Sequence, residues 1–265
     1  MTLRIRVGAT ALAIACFGAL VGCGTPRVDP ESAPSPPQQI LPTPTANDFV
    51  TTIMRTRGLS TADLAIDLTT TVGNDTTRLT GSGPAGIRGG YGRLTWTPDG
   101  GEAFTEVSNY KGLYVQTGGP SGLWTHQPDR LATPTSRLAD PFRGLGTAMD
   151  VTRRGPERLG DQATTRFTAR IPADSDSMAL MGLSGDQIAS LGDSSRGQWV
   201  EVTVWVDGRG RIVRVDRSVD IPNAPDGPVS ATTTTLLDDF SRTVDVEPPP
   251  TESVTEAPTS TSTST

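Results

Sequence analysis

Apolar and polar residues alternate along residues 62–72. Leu64, Ile66 and Leu68 share one parity, whereas aspartate and threonine residues occupy most positions of the other. A period of two is typical of a β-strand with one buried and one solvated face. The pattern, repeated with glycine, proline or asparagine turns between segments, predicts an extensive antiparallel meander. Further strands are expected near 76–82, 91–97, 102–108, 112–118, 122–127, 151–159, 163–171 and 229–246.

Three other stretches have helical spacing of their apolar residues. The first, 46–58, has Asn47 as a candidate N-cap and ends at a glycine. The second, 140–149, begins with an Asp-Pro pair, which favours a first helical turn. The third, 174–191, contains Gly182 and Gly185 and is expected to form one or two helical segments broken at these glycines. The apolar face of the second helix is expected to consist of Phe142, Leu145 and Met149.

Residues 198–216 predict a hairpin whose two strands carry large residues on both faces. A loop of two or four residues places Val204 opposite Val213 and Val202 opposite Val215. A loop of three residues would place valines against charged residues, and we therefore expect that it does not form. The valine face is predicted to be interior. The opposite face, with Trp199 and Trp205, is predicted to be mostly polar and outward.

Residues 1–22 have the organisation of a secretory signal peptide: a short basic segment, an apolar run and a small residue at the end. The apolar run is shorter than the roughly 20 residues that a membrane span needs. Leu20-Val21-Gly22-Cys23 resembles the bacterial lipobox, whose cysteine receives an S-diacylglycerol and an N-palmitoyl group. Cys23 is the predicted attachment site, and an ordinary cleaved signal peptide is the alternative. The expected location is the extracytoplasmic face of the cell membrane.

Composition divides the remaining chain into a domain and two flanking segments. Residues 23–45 are rich in proline and are predicted to form an extended tether after the acylated cysteine. Residues 247–265 combine proline with a Thr/Ser tract and are predicted to be a disordered tail, which also suits O-glycosylation. The segment between them, 46–246, is long enough for one domain with a substantial core.

Charge and residue types exclude several functions. Removal of residues 1–22 leaves 21 basic against 29 acidic residues, a formal net charge of −8, which argues against nucleic acid as a partner. The chain has a single histidine, His126, and only one cysteine outside the signal peptide, so no metal site or cofactor is expected. Gly81–Gly86 matches G-x-G-x-x-G, but a strand and not a helix follows it. The sequence therefore predicts a protein that is not an enzyme.

The order of these elements resembles the LppX–LprG lipoproteins of actinobacterial envelopes, which have a LolA-like fold. The resemblance implies an α+β fold: a large curved antiparallel sheet, or half-open β-barrel, with short helices packed in or over its concave face. It also implies an apolar cavity for the acyl chains of envelope lipids or glycolipids, and no catalytic residues. The similar segments are Gly119–Trp124, Asp140–Leu145, Gly155–Phe167 and Val204–Arg214.

Two functions follow as expectations. The first is binding or transfer of acylated lipids in an apolar cavity, and the second is a surface adaptor that binds a protein partner and no lipid. A cavity of several hundred Å³ lined by strand residues of one parity would favour the first, and a filled concave face the second. The candidate cavity-lining residues are Leu64, Ile66, Leu68, Phe142, Leu145, Met149, Phe167, Val200, Val202, Val204, Val213 and Val215.

Overall fold

A computed structural model describes residues 46–87, 90–129, 133–244 and 246–257. The predicted signal peptide, Cys23 and the tether lie outside the described residues, as does the end of the tail. The helices are α1 (Ala46–Arg57), α2 (Pro134–Leu138), α3 (Ser175–Ala179) and α4 (Gly185–Leu191). The strands are β1 (Ala62–Val72), β2 (Asp75–Gly86), β3 (Tyr91–Pro98), β4 (Phe104–Asn109), β5 (Gly112–Gln116), β6 (Trp124–Gln127), β7 (Met149–Leu159), β8 (Gln162–Pro172), β9 (Trp199–Asp207), β10 (Ile212–Ile221), β11 (Val229–Asp238) and β12 (Val254–Glu256).

All twelve strands of the described chain belong to one open sheet, in the order β12-β6-β5-β4-β3-β2-β1-β11-β10-β9-β8-β7. Strands β1 to β6 form one meander, and β7 to β11 form a second one that returns to pair with β1. Every pairing is antiparallel except that of β12 with β6. The predicted α+β class with a large antiparallel sheet is confirmed.

The two faces of the sheet differ as the alternation in β1 predicts. Leu64, Ile66 and Leu68 are 2%, 3% and 6% exposed, and their face packs against the helices. We call this the inner face and the opposite one the outer face. Helix α1 lies on the inner face through Phe49 and Ile53, and the ring centroid of Phe49 is 6.0 Å from that of Phe167 on β8.

The predicted helix over 140–149 is wrong. A five-residue helix, α2, precedes it, and residues 141–147 form turns that end in a 3-10 turn at Leu145–Thr147. Gly144 has a left-handed backbone with φ of 78°, which ends any continuous α-helix at that point. The first and third predicted helices are confirmed. The third is divided at Gly182 into α3 and α4.

The hairpin loop also differs from the prediction, because it has three residues. The N–H of Asp207 donates to the carbonyl of Arg211, and the N–H of Gly210 donates to the carbonyl of Asp207. Gly210 has φ of 74°, which is the left-handed conformation that such a loop requires. Val206 therefore lies opposite Ile212 and not opposite Arg211.

A bulge in β10 keeps the valine face on the inner side in spite of this loop. The register shifts between Ile212 and Arg214, so that Val213 is the extra residue and Val204 lies opposite Val215. The expected pairs of Val204 with Val213 and of Val202 with Val215 are therefore wrong by two residues. A shift of two preserves parity, and Val204 and Val215 are both buried at 1% or less.

The end of the chain differs from the predicted boundary at 246. Strand β11 stops at Asp238, because Asp239 and Ser241 have positive φ and turn the chain away. The chain then returns, and Val254–Glu256 forms β12 at the edge of the sheet, parallel to β6. The β-branched side chains of Val254 and Thr255 suit this edge position. Part of the segment that the sequence assigns to a disordered tail thus lies in the sheet.

Candidate functional site

The candidate cavity-lining residues lie together, but they are core residues. All of them except Met149 and Val213 belong to a single cluster of buried side chains, and each of those is 7% exposed or less. Met149 is the first residue of β7 and is 51% exposed, because the helix that was expected to orient it does not form. Val213 is buried at the bulge, outside that cluster.

The inner face carries a continuous apolar row that crosses neighbouring strands. Phe167 on β8 pairs with Val204 on β9, which pairs with Val215 on β10. The row continues through Thr235 on β11 to Ile66 on β1. Its width of five strands is roughly 19 Å at the usual spacing between strands. An acyl chain could lie along such a row if the row were accessible.

Gly81 and Trp96 close this row on the side of β2 and β3. A Cβ at Gly81 would lie 2.3 Å from the indole ring of Trp96, so the ring occupies the space above the glycine. Trp96 itself is fully buried, and its Nε1 donates to Oε2 of Glu106 at 2.9 Å. The glycine of strand β2 thus leaves space for the large aromatic side chain that packs on it.

Residues 175–191, which comprise α3, α4 and their connection, pack on the inner face beside this row, against β1 and β11, whereas Phe49 of α1 lies on the row itself at Phe167. We call residues 175–191 the cover segment. Its side chains Met178, Met181 and Leu183 are 0–1% exposed and pack in the main cluster. Gly182 approaches β1 closely, since a Cβ there would lie 2.4 Å from Cδ2 of Leu68. Consequently the cover segment and α1 together pack on the inner face, where a ligand cavity was predicted.

Side-chain hydroxyls of the sheet hold the backbone of the cover segment. Oγ1 of Thr70 on β1 donates to the carbonyl of Met181 at 3.0 Å, and Oγ1 of Thr233 on β11 donates to the carbonyl of Leu180 at 3.3 Å. Both threonines are buried on the inner face. They satisfy carbonyl groups that a non-helical connection would otherwise bury without a partner.

A charged residue, Arg217, occupies the same inner face. Its cross-strand neighbours are Val202 on β9 and Thr233 on β11. The residue is 3% exposed, and its Nη2 donates to the carbonyls of Pro141 at 2.6 Å and Arg143 at 3.3 Å. Burial lowers the pKa of Arg217 to about 10, and the nearby Asp140 acts in the opposite direction. The sequence reasoning missed this residue, although its parity matches that of Val215.

A second buried ionisable group lies beneath α2. The carboxylate of Glu106 on β4 accepts hydrogen bonds from Trp96 and from the hydroxyls of Thr133 and Thr135, at 2.6–3.0 Å. Burial raises the pKa of Glu106, whereas these hydrogen bonds lower it to a smaller extent. The cavity beside this carboxylate has a volume of about 10 Å³, enough for one water molecule at most.

A larger depression lies on the outer face, where the sequence predicted none. Its volume is about 570 Å³, and it crosses the middle strands of the sheet. Its lining is mostly small and polar, with one exposed leucine, Leu236. The lining residues are Ala65, Ile66, Asp67, Thr80, Gly81, Ser82, Thr95, Thr97, Arg214, Thr234 and Leu236.

The tryptophans of the hairpin lie under arginine side chains of the outer face. The guanidinium of Arg214 is 4.7 Å from the ring centroid of Trp205, and that of Arg170 is 5.1 Å from Trp199. Trp205 is therefore 8% exposed and is not an isolated apolar point on the surface. Such stacking stabilises both partners while keeping the outer face charged.

His126 has the contacts of a structural histidine. Its Nδ1 is 3.0 Å from the carboxylate of Glu256, its Nε2 is 3.0 Å from the carbonyl of Lys111, and its ring stacks on Tyr114 at 4.6 Å. Within the described ranges, no group of three or more His, Cys, Asp or Glu side chains is arranged to bind a metal ion. No helix of the described chain is long and apolar enough to span a membrane.

Comparison with known proteins finds similarity in structure alone. No protein-family model matches the chain, and no curated protein matches it by sequence. The chain is similar to the lipoprotein LppX of Mycobacterium tuberculosis, with 13% identity and a TM-score of 0.45, over 76% of this chain and 97% of that one. It is likewise similar to LprF of Mycobacterium bovis, with 14% identity and a TM-score of 0.47, over 78% and 99%. A LolA superfamily protein of Nitrosomonas europaea follows with 10% identity and a TM-score of 0.26, over 74% and 94%.

Proposed function

We propose that this protein is a lipoprotein of the cell envelope that binds acylated lipids between the inner face and the cover segment, and thereby carries or transfers them. The supporting observation is the apolar row of Phe167, Val204, Val215 and Ile66 on an inner face that is partly covered by helices of only five and seven residues. Isolated helices of that length are not stable in water. The cover segment therefore depends on its contact with the sheet, and it is the part that a ligand can displace.

Displacement of the cover segment by a lipid exchanges one apolar contact for another. Met178, Met181 and Leu183 leave the inner face, and the acyl chain takes their place there. The apolar area buried on the sheet is then nearly unchanged, and burial of the acyl chain offsets the exposure of these three side chains. The hydrogen bonds from Thr70 and Thr233 to the cover segment are lost, and water or the ligand must replace them.

The proposed anchor is an acylated Cys23, which would keep the domain at the extracytoplasmic face of the membrane. The tether of residues 23–45 would leave the domain free to meet lipids of the envelope. We propose no enzymatic activity, since the buried charged groups of the described residues, Glu106, Asp207 and Arg217, each take part in structural hydrogen bonds.

Organic extraction of the full chain purified from its native membrane tests lipid binding. The expected result is a non-covalent lipid at close to one equivalent, identified by mass spectrometry. The acyl groups on Cys23 stay with the polypeptide and are seen as a mass increment, which Cys23→Ser should remove. Repeated recovery of protein without extractable lipid would contradict lipid carriage and leave the anchor unaffected.

A second candidate, a surface adaptor without a lipid ligand, is supported by the filled inner face. The outer depression with its exposed Leu236 is then the expected contact surface. Crosslinking in intact cells should trap one defined protein, and Leu236→Glu should abolish the crosslink. Ser230→Glu, at an exposed position of the same strand outside the depression, should leave it unchanged.

A further inference from the structure

Arg217 has an unusual combination of burial and incomplete pairing. One of its terminal nitrogens donates to two backbone carbonyls, while its Nε has no hydrogen-bond partner among the described residues. No carboxylate oxygen of the described chain lies within ion-pair distance of it, since the ion pairs involve other arginines. An arginine normally remains protonated, so a positive charge is buried on the inner face without a counter-charge of its own.

The surroundings of Arg217 contain two further arginines, each of which is paired with an aspartate. The turn at 140–144 also carries Arg143, and Arg57 of α1 lies against Asp140 at 3.3 Å. Arg57 and Arg143 each have a buried Nε without a partner in the described structure. Asp140 is shared between Arg57 and the backbone N–H of Phe142, and the carboxylate that pairs with Arg143 is that of the exposed Asp176.

Arg217 also lies next to the apolar row, beside the position at which an acyl chain on Val215 and Val204 would begin. It is two residues from Val215 on β10, on the same face, and that spacing is roughly 7 Å in a strand. Its present acceptors, the carbonyls of Pro141 and Arg143, belong to a turn that contains no regular helix. A guanidinium is a planar donor that suits phosphate and carboxylate oxygens better than single carbonyls.

We propose that Arg217 is a binding site for the anionic group of an amphiphile, a phosphate or a carboxylate, whose acyl chain lies on the row of Val204 and Val215. The anion would accept hydrogen bonds from Nε and from the terminal nitrogens, in place of the carbonyls of the 140–144 turn. This inference rests on the proposed lipid binding and specifies the class of lipid. The anion would be a counter-ion in direct contact with Arg217, and no carboxylate of the described chain provides such a contact.

The experiment compares ligands that share one chain and differ in the head group. The full chain carries Cys23→Ser in every sample, so that no anchor is added, and titration calorimetry measures binding of dodecyl phosphate, dodecanoate, dodecanol and inorganic phosphate. At least one of the two anionic amphiphiles should bind about tenfold more tightly than dodecanol, the effect of one charged hydrogen-bonded contact. Arg217→Gln should remove this preference and leave dodecanol binding within about twofold of its original value.

Two further variants separate the charge from the fold. Arg217→Lys retains a cation and should keep a preference for the anions. Arg166→Gln should keep the full preference, because Arg166 also has a buried Nε without a partner but pairs with Glu157 at 3.2 Å on the outer face. If Arg217→Gln does not fold, the test is the ratio of the affinities for anionic and neutral amphiphiles. This ratio is then compared between the unsubstituted chain and Arg217→Lys.

The outcomes distinguish this inference from the proposed function. Equal affinity for dodecanol and both anionic amphiphiles would overturn the anion site and leave lipid binding in place. Absence of binding for all amphiphiles would overturn both. Inorganic phosphate could bind as tightly as dodecyl phosphate and lose this binding in Arg217→Gln. That result would identify a site for free phosphate and overturn the head-group role.

Discussion

Replacement of Gly182 by alanine tests whether the cover segment depends on a close contact with the sheet. Gly182 has φ of 79°, a conformation that costs an L-residue about 1–2 kcal/mol. The added Cβ would lie 2.4 Å from Cδ2 of Leu68, so the leucine must leave its rotamer at a cost of about 0.5–1.5 kcal/mol. The lower entropy of the unfolded alanine chain offsets about 0.5 kcal/mol. We expect Gly182→Ala to lower the free energy of unfolding by about 2 kcal/mol.

Gly185→Ala is the matched control for this substitution. Gly185 is the first residue of α4, and a Cβ there meets no atom within 4 Å. Alanine is favoured in helices, so this variant should be neutral or more stable by up to about 1 kcal/mol. Urea unfolding followed by tryptophan fluorescence measures both variants. A cost for Gly182→Ala below about 0.5 kcal/mol, within the error of the control, would refute the close approach.

A double-mutant cycle then separates the contact with Leu68 from the backbone strain. In a Leu68→Ala background the Cβ at position 182 meets a shortened side chain, and only the cost of the left-handed backbone remains. Gly182→Ala should therefore cost about 1 kcal/mol less in that background. Strict additivity of the two substitutions would mean that the cover segment does not touch β1 at this point.

Three further predictions concern other buried polar groups. Thr233→Val should lower the free energy of unfolding, measured with urea, by about 1 kcal/mol, because its hydrogen bond to the cover segment is lost. The control Thr232→Val, on the outer face, should change it by less than about 0.5 kcal/mol. Burial raises the pKa of Glu106, so its contribution to stability is fully present below the pKa of an unfolded glutamate and is lost as the pH rises through the folded value. Glu106→Gln should remove that part of the pH dependence above the pKa of an unfolded glutamate, and an unchanged slope of stability against pH would contradict it. Asp207→Ala should lower the free energy of unfolding by about 2 kcal/mol, because the carboxylate accepts three hydrogen bonds of the hairpin loop. Asp220→Ala, at an exposed position, is the control and should change the thermal unfolding little.

The strands could be predicted from sequence because burial on one face imposes a period of two. Leu64, Ile66 and Leu68 show that period directly, and the same signal gives the meander. The register of the hairpin could not be predicted in the same way. It depends on a three-residue loop and on a bulge at Val213. The loop shifts the pairing by one residue and the bulge by one more, so each residue keeps its face. Parity determines which residues are buried, so the valine face was predicted correctly with the wrong partners.

The content of the inner face was harder to predict, since it depends on contacts between segments far apart in sequence. Nothing in the sequence around Gly81 indicates that the indole of Trp96 fills the space above it. Met149 was assigned to a helix that Gly144 prevents, and the glycine was visible in the sequence as a possible end. Arg217 has the same parity as Val215 and is therefore on the inner face, but a charged residue gives no apolar signal of its burial.

Arg217, Thr70 and Thr233 share one physical role. A sheet selected only for a stable core would carry apolar residues at these inner positions, since a buried charge or hydroxyl gains little over a well-packed hydrophobic side chain. All three side chains instead donate to backbone carbonyls of the turn at 140–144 or of the connection between α3 and α4. Neither stretch is a regular helix or strand. Each such bond contributes about 1 kcal/mol, so the polar contacts that hold these segments to the sheet are few and separable. The cover segment and the 140–144 turn are therefore expected to open at a lower free energy than β1 or β10, and amide hydrogen exchange should be faster at Leu180 and Met181 than at Ile66.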